Sequence, residues 1–350
     1  MSVVNIFGLK KRDSNFELLR IVCMLLIIMY HFAVHGGYIM GNYTIISDFI
    51  FSLFYSGGKL GVALFVMITG YYMIKEKKNK NSKLVELELQ VLFYSIFLFL
   101  IFALFFGYHI NFSSCVKFFF PNIFKIYWFF SGYFFLYLCI PYLNKLLLSL
   151  SKGEFIKLLI IGLVFFFIIP SIVIYSNKIT ETVYLFYYYL IGAFIRLYKN
   201  DIKGKYRYLF IFLLFYLSIS FVTIYLGYLS NYNGYLKDFI YSFSGISSIL
   251  LFVCCISLFF FFKNINISYN RVINFLSSMS FGVYLFHEHP FVRKLLWQSI
   301  FPAYKVLNYN TSLGSVIIIA FFIYLVGCFF DIIRKILFED AKRLINVKFN

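Results

Sequence analysis

Acidic side chains are scarce in this sequence. There are 14 Asp and Glu among 350 residues, against 32 Lys and Arg, and charged residues of both signs make up only 13% of the chain. A soluble domain needs far more polar surface to face water. With 62% hydrophobic residues, 24% aromatic residues and a mean hydropathy of +0.85, the shortage excludes one. Long polar stretches are lacking too: the longest charged run, "KEKKNKNSK" at 75–83, is nine residues and too short to fold by itself. A single transmembrane domain over 1–350 is therefore expected. Cysteine is sparse and misplaced for a disulfide framework, because Cys23, Cys139, Cys254, Cys255 and Cys328 lie in apolar runs and only Cys115 falls in an outer loop. The sequence also lacks a CxxC metal pair, a Ser-His-Asp signature, a GxSxG elbow, a Walker loop and a DxD pair.

Apolar length is what the chain has in abundance. A membrane span takes roughly 20 mostly apolar residues, and ten such stretches occur, near 16–35, 48–74, 86–107, 126–148, 155–175, 182–198, 206–228, 238–262, 272–292 and 312–334. The expected fold is an all-α polytopic transmembrane helical bundle of about ten spans. Its basic residues alternate by loop: 23 of the 32 fall in one set of alternate segments and their span ends, and only Arg20 and Lys59 lie more than three residues inside a span. The positive-inside rule then puts both termini in the cytoplasm. The charge is a topology signal with attraction to anionic membrane lipids as a by-product, not a nucleic-acid patch. The first apolar run follows basic residues as a signal peptide would, but it has no small-residue cleavage site and carries Arg20 and two histidines, so it reads as a retained span. The segment 108–125 has the aromatic, amphipathic character of a loop lying in the interface. No fixed-period repeat is present, which weighs against an inverted-repeat transporter.

The ionisable residues inside the spans are few and clustered. An ionisable side chain near the bilayer centre costs ~2.5 kcal/mol or more, yet "RIVCMLLIIMYHFAVH" at 20–35 begins with Arg20 and ends with His31 and His35. Eleven positions are close to three helical turns, so Arg20 and His31 share a face with ~16 Å of rise between them, and Glu17 and His35 extend the stripe. Such a stripe is tolerable only when it faces a bundle interior or a watery cavity. Alternatively, Glu17 and Arg20 form a salt-bridged pair at the cytoplasmic interface. His287 and His289 close the ninth span in "SFGVYLFHEHPFVRKLLW", with Tyr284, Glu288 and Arg293 beside them. Both His-bearing spans run outward, which places the two clusters at similar depth. Lys294 and Arg293 also suit interfacial anchoring. In "YSGGKLGVALFVMITGYYM" at 55–73 the glycines at 57, 58, 61 and 70 permit close helix approach or an unwound turn, and Lys59 sits where an outer cavity could begin. Trp128 suits either an interfacial belt or substrate contact.

Taken in order, Arg20-x10-His31, "GKLGVALFVMITGYYM", "YWFFSGYFFLYLCIPYLN" and "FGVYLFHEHP" resemble the acyltransferase-3 family of membrane O-acyltransferases, and the resemblance covers essentially the whole chain. It implies transfer of an acyl group, usually acetyl from acetyl-CoA, to hydroxyls of an extracytoplasmic polysaccharide or lipid-linked oligosaccharide. His31 would be catalytic and Arg20 its essential partner. Some relatives append an extracytoplasmic hydrolase-like domain, which is not expected here, and others carry an Arg pair in a cytoplasmic loop, replaced here by the lysines of 75–83. Those lysines form a solvated loop or meet a coenzyme phosphate.

The residues themselves agree with that chemistry. A sugar hydroxyl is a poor nucleophile until a neutral imidazole takes its proton, and His, with an ordinary pKa of about 6.5, is largely neutral and still basic at pH 7. His31 is expected to act as general base or as a transient acyl carrier. Arg20 would hold a coenzyme phosphate or the Glu17 carboxylate. His35, Lys59, Trp128, Tyr284, His287, Glu288 and Arg293 would bind substrate, some of them orienting the acceptor or stabilising the oxyanion. Acyl-CoA is the expected donor and no metal is expected. Lys-, Ile-, Phe- and Asn-heavy usage fits a bacterial plasma-membrane enzyme. The competing readings are an exporter or flippase that uses the same stripe as a substrate pathway or proton relay, and a glycan polymerase.

Overall fold

The computed structural model describes residues 12–42, 44–76, 81–108, 111–172, 180–199, 203–230, 240, 243–307 and 313–348. His109, Lys10, Lys11, Lys77, Lys78, Lys80 and the start of the 238–262 stretch lie outside the described residues. Among those described, all regular structure is helical. Helices follow from the composition, because an apolar chain that cannot hydrate its backbone must satisfy each N–H and C=O within its own segment.

In chain order the helices are α1 (Ser14–His35), α2 (Ile45–Tyr55), α3 (Gly57–Met73), α4 (Asn81–Phe105), α5 (Phe112–Phe119), α6 (Trp128–Ser149), α7 (Lys152–Leu163) and α8 (Ile169–Ile172). They continue with α9 (Glu181–Tyr198), α10 (Lys205–Ser230), α11 (Ile249–Asn264), α12 (Arg271–Ser277), α13 (Ser280–Glu288), α14 (Pro290–Lys294), α15 (Ala303–Val306) and α16 (Leu313–Lys348). Among the described residues, six helical segments are long and apolar enough to cross a membrane: Ser14–His35, Ile45–Met73, Ser82–Phe105, Lys152–Ser171, Lys205–Leu229 and Leu313–Phe338. The π-helical turn Val164–Ile168 joins α7 to α8. The chain is a multi-pass membrane protein.

Two stretches that read as single spans are broken. The run 48–74 divides at Ser56 into α2 and α3, where Gly57 and Gly58 bring the backbone against Leu26 and Tyr30 of α1. The run 272–292 becomes α12, α13 and α14, the last starting at Pro290, whose missing N–H suits a helix's first position. The loop 108–125 contains the short α5, whose Phe118 is buried and stacks on Phe99 at 4.7 Å.

At the centre α3 packs between α1 and α9. The fit depends on absent side chains: a Cβ on Gly61 would lie 2.6 Å from the Cys23 carbonyl, and Gly70 and Gly192 abut the backbone carbonyls of Tyr189 and Met67 reciprocally. Overpacking of this kind costs ~1–3 kcal/mol. Gly61→Val should therefore lower the yield of monodisperse protein surviving a heat step before size-exclusion chromatography. Gly153→Val, at a position where a Cβ meets nothing within 4 Å, should leave it unchanged.

Two buried carboxylates clamp the bundle. Asp48 accepts hydrogen bonds from the Tyr38 hydroxyl (2.8 Å), the Tyr228 hydroxyl (2.8 Å) and the Gly41 amide (3.2 Å). Asp331 on α16 accepts from Gln90 (3.0 Å) and Tyr94 (3.2 Å) of α4 and from Arg334 Nε (2.7 Å), with Lys335 Nζ at 3.6 Å.

Candidate active site

Helix α1 carries His31 one turn before His35, and α13 ends in the sequence Tyr284–Leu285–Phe286–His287–Glu288. The two helices pack together, and their polar residues meet in the interior: His31 is 4% exposed, His287 0% and Glu288 2%. His31 Nδ1 lies 3.1 Å from His287 Nε2 and 3.1 Å from Glu288 Oε2. Arg293 Nη1 donates to Glu288 Oε1 at 3.0 Å, and the His35 ring lies 5.5 Å from that of His31.

The hydrogen-bond pattern assigns the tautomers. His287 Nδ1 is 2.6 Å from the Val283 carbonyl, which can only accept, so that nitrogen carries the hydrogen. In a neutral His287 the Nε2 is then an acceptor, and its partner, His31 Nδ1, must donate. His31 Nε2 is left with the lone pair. Glu288 Oε2 sits off the Nδ1–H axis and makes no hydrogen bond of its own, but it is close enough to stabilise an imidazolium when one forms. An imidazole with a free lone pair, oriented by a second histidine and backed by a carboxylate, is chemically able to take up a proton.

A second group lies beside it. Lys59 pairs with Glu181 at 2.5 Å, lies 4.4 Å from the Trp128 ring centroid and 6.0 Å from that of Tyr30. Tyr30 in turn lies 5.4 Å from the His31 ring. The structure thus brings Lys59 and Trp128 together, as it does His31, His35, His287, Glu288 and Arg293.

Glu17 and Arg20 stand apart from these groups. Glu17, 2% exposed, accepts from Arg20 Nη1 and, at 2.6 Å, from the Ser277 hydroxyl, with Arg12 at 3.6 Å. The pair joins α1 to α12 about three turns from His31, with Arg20 partly exposed. His289, part of the second histidine cluster, is buried against Phe118 at 5.1 Å and approaches the Ser95 carbonyl at 3.4 Å, away from the His31 nitrogens.

Two residues here carried no sequence signal. Glu181 opens α9 as an ordinary acidic first-turn residue. Tyr127, whose ring lies 6.1 Å from that of Tyr284, is one of 31 tyrosines. As for metals, His31, His35 and Glu288 each offer a ligand atom within 4.8 Å of the others. A transition ion there would take up lone pairs that proton transfer needs.

A family model described as an acyltransferase domain, Acyl_transf_3, matches residues 13–332. The chain belongs to the acyltransferase-3 family. The match takes in α1 through most of α16, so the acyltransferase-3 domain contains both histidine clusters, Lys59 and Trp128. No curated protein and no solved structure matches the chain.

Proposed function

We propose that this acyltransferase-3 protein is a single-domain integral-membrane O-acyltransferase. It moves an acyl group, acetyl in the first instance, from cytoplasmic acyl-CoA to a hydroxyl of an extracytoplasmic polysaccharide or lipid-linked oligosaccharide. The observation that carries the reading is the chain of contacts Val283 carbonyl, His287, His31, which leaves a lone pair on His31 Nε2 within an apolar bundle. In the reaction His31 Nε2 takes the acceptor hydroxyl proton as the oxygen–acyl bond forms. The carbon–sulfur bond breaks, and the departing thiolate receives that proton. Glu288, held by Arg293, stabilises the imidazolium in between. Arg20, nearer the cytoplasm and already engaged by Glu17, is suited to a coenzyme phosphate. His35, Lys59 and Trp128 suit acceptor contact.

The topology proposed with this function has ten spans and both termini in the cytoplasm of a bacterial plasma membrane. Helices α6 and α9, 22 and 18 residues long, reach ~27 Å or more and are long enough to join the apolar spans. The deciding experiment supplies acyl-labelled acetyl-CoA to the purified protein with a lipid-linked glycan extract. Label in the glycan supports the transferase. Glycan movement across proteoliposomes without label would show an exporter, and chain growth without label a polymerase.

A further inference from the structure

Three buried polar atoms near the histidine pair have no hydrogen-bond partner: the Tyr127 hydroxyl, the Tyr284 hydroxyl and Glu288 Oε2. All three residues are at most 2% exposed. Orphaned groups of this kind are rare, because each costs its full desolvation. These three are neighbours. The Tyr127 and Tyr284 rings are 6.1 Å apart, the Tyr284 and His287 rings 6.2 Å, and both phenols are within electrostatic reach of Glu288.

The start of α6 adds further donors. Tyr127 is the N-cap residue, and its side chain makes no capping bond. Its carbonyl receives the amide of Ser131 at 3.0 Å, so the amides of Trp128, Phe129 and Phe130 have no acceptor within the helix. The Tyr284 ring meets Phe129 edge-on at 5.7 Å, with its phenol turned toward the Phe129 amide but not completing a hydrogen bond. The positive end of a 22-residue helix therefore points into the place where both unpartnered phenols lie.

Hydrogen-bond donors, the two phenols and the start of α6, thus stand near two acceptors, Glu288 Oε2 and His31 Nε2. A ligand that satisfies both sets presents an oxygen acceptor next to an O–H donor. A carbonyl group about to be attacked by an alcohol has that pattern.

We propose that Tyr127 and Tyr284, with the first-turn amides of α6, form an oxyanion site that receives the carbonyl oxygen of the transferred acyl group. This rests on the acyl-transfer reading. As the acceptor oxygen bonds to the carbonyl carbon, its proton passes to His31 Nε2 and the carbonyl oxygen gains negative charge against the two phenols. When the carbon–sulfur bond breaks, that charge returns to the carbonyl and the thiolate takes the proton from His31.

The test uses the full chain in proteoliposomes with labelled acetyl-CoA and a lipid-linked glycan extract. Tyr127→Phe and Tyr284→Phe should each lower kcat by about 10²-fold, the scale for one oxyanion donor, with KM for acetyl-CoA within about threefold and an unchanged melting temperature. Replacing Tyr127 with 3-fluorotyrosine, a stronger donor, should raise kcat above that of the Phe variant, a response that a packing role would not give. Phe variants with wild-type kcat, or a lower rate accompanied by a lower melting temperature and not restored by fluorotyrosine, would overturn the oxyanion site while acyl transfer stood. A wild-type protein that transfers no label overturns the acyl-transfer reading itself.

Discussion

His31→Ala is expected to abolish acyl transfer while leaving the protein inserted, monodisperse and as heat-stable as the wild type to within a few degrees. Removing a general base costs ~10²–10⁴-fold in rate. In the variant His287 keeps its Nδ1 on Val283, and its freed Nε2 belongs to a ring centred 5.1 Å from where the His31 ring stood, out of place for the same proton. Glu288→Gln should lose less, because the amide keeps the shape but cannot stabilise the imidazolium. The rate of label transfer from acetyl-CoA, measured against membrane-inserted protein, reads both. Activity of His31→Ala within tenfold of wild type would remove His31 from the mechanism.

Asp331→Ala is expected to cost the fold more than any change at the histidines. Asp331 is fully buried and receives Gln90, Tyr94 and Arg334, and its carboxylate fills the space left by Gly282 on α13. Deleting it leaves Arg334, 9% exposed, as a buried cation without its anion. Breaking one side of such a pair typically costs ~3–5 kcal/mol. The variant should aggregate on extraction or melt well below the wild type in detergent, whereas Asp331→Leu with Arg334→Leu should recover part of the loss because no lone charge remains. An Asp331→Ala protein that melts with the wild type would show the cluster to be inert.

What the chain disclosed in advance follows from cost. An imidazole deep in an apolar run is expensive, so His31 and His287 stood out, and the two meet at 3.1 Å. Helicity followed from the same economy of backbone hydrogen bonds. The break at Ser56 was half legible in Gly57 and Gly58, which permit an unwound turn, whereas the one at Ser278–Met279 was hidden because the apolar run continues through it. Tyr127 was hidden by abundance, since nothing but three-dimensional placement separates it from the other tyrosines. Asp331 was hidden by position: near the cytoplasmic end of the last span an acid looks interfacial, and only packing against α4 reveals it as buried. Glu17 and Arg20 were legible as a pair, and the structure adds Ser277, which donates to the buried Glu17 carboxylate.

The bond from His287 Nδ1 to Val283 has a bioenergetic consequence. With one nitrogen of His287 fastened to its own helix and the other already receiving a hydrogen from His31, the second imidazole cannot carry a proton onward. In the proposed reaction the proton lifted from the acceptor passes to the departing thiol. Each turnover then leaves the proton balance of the two compartments unchanged, and the rate should be indifferent to a pH gradient or voltage imposed across the vesicle. Unlike a proton-coupled exporter, such an enzyme draws its driving force from the thioester alone.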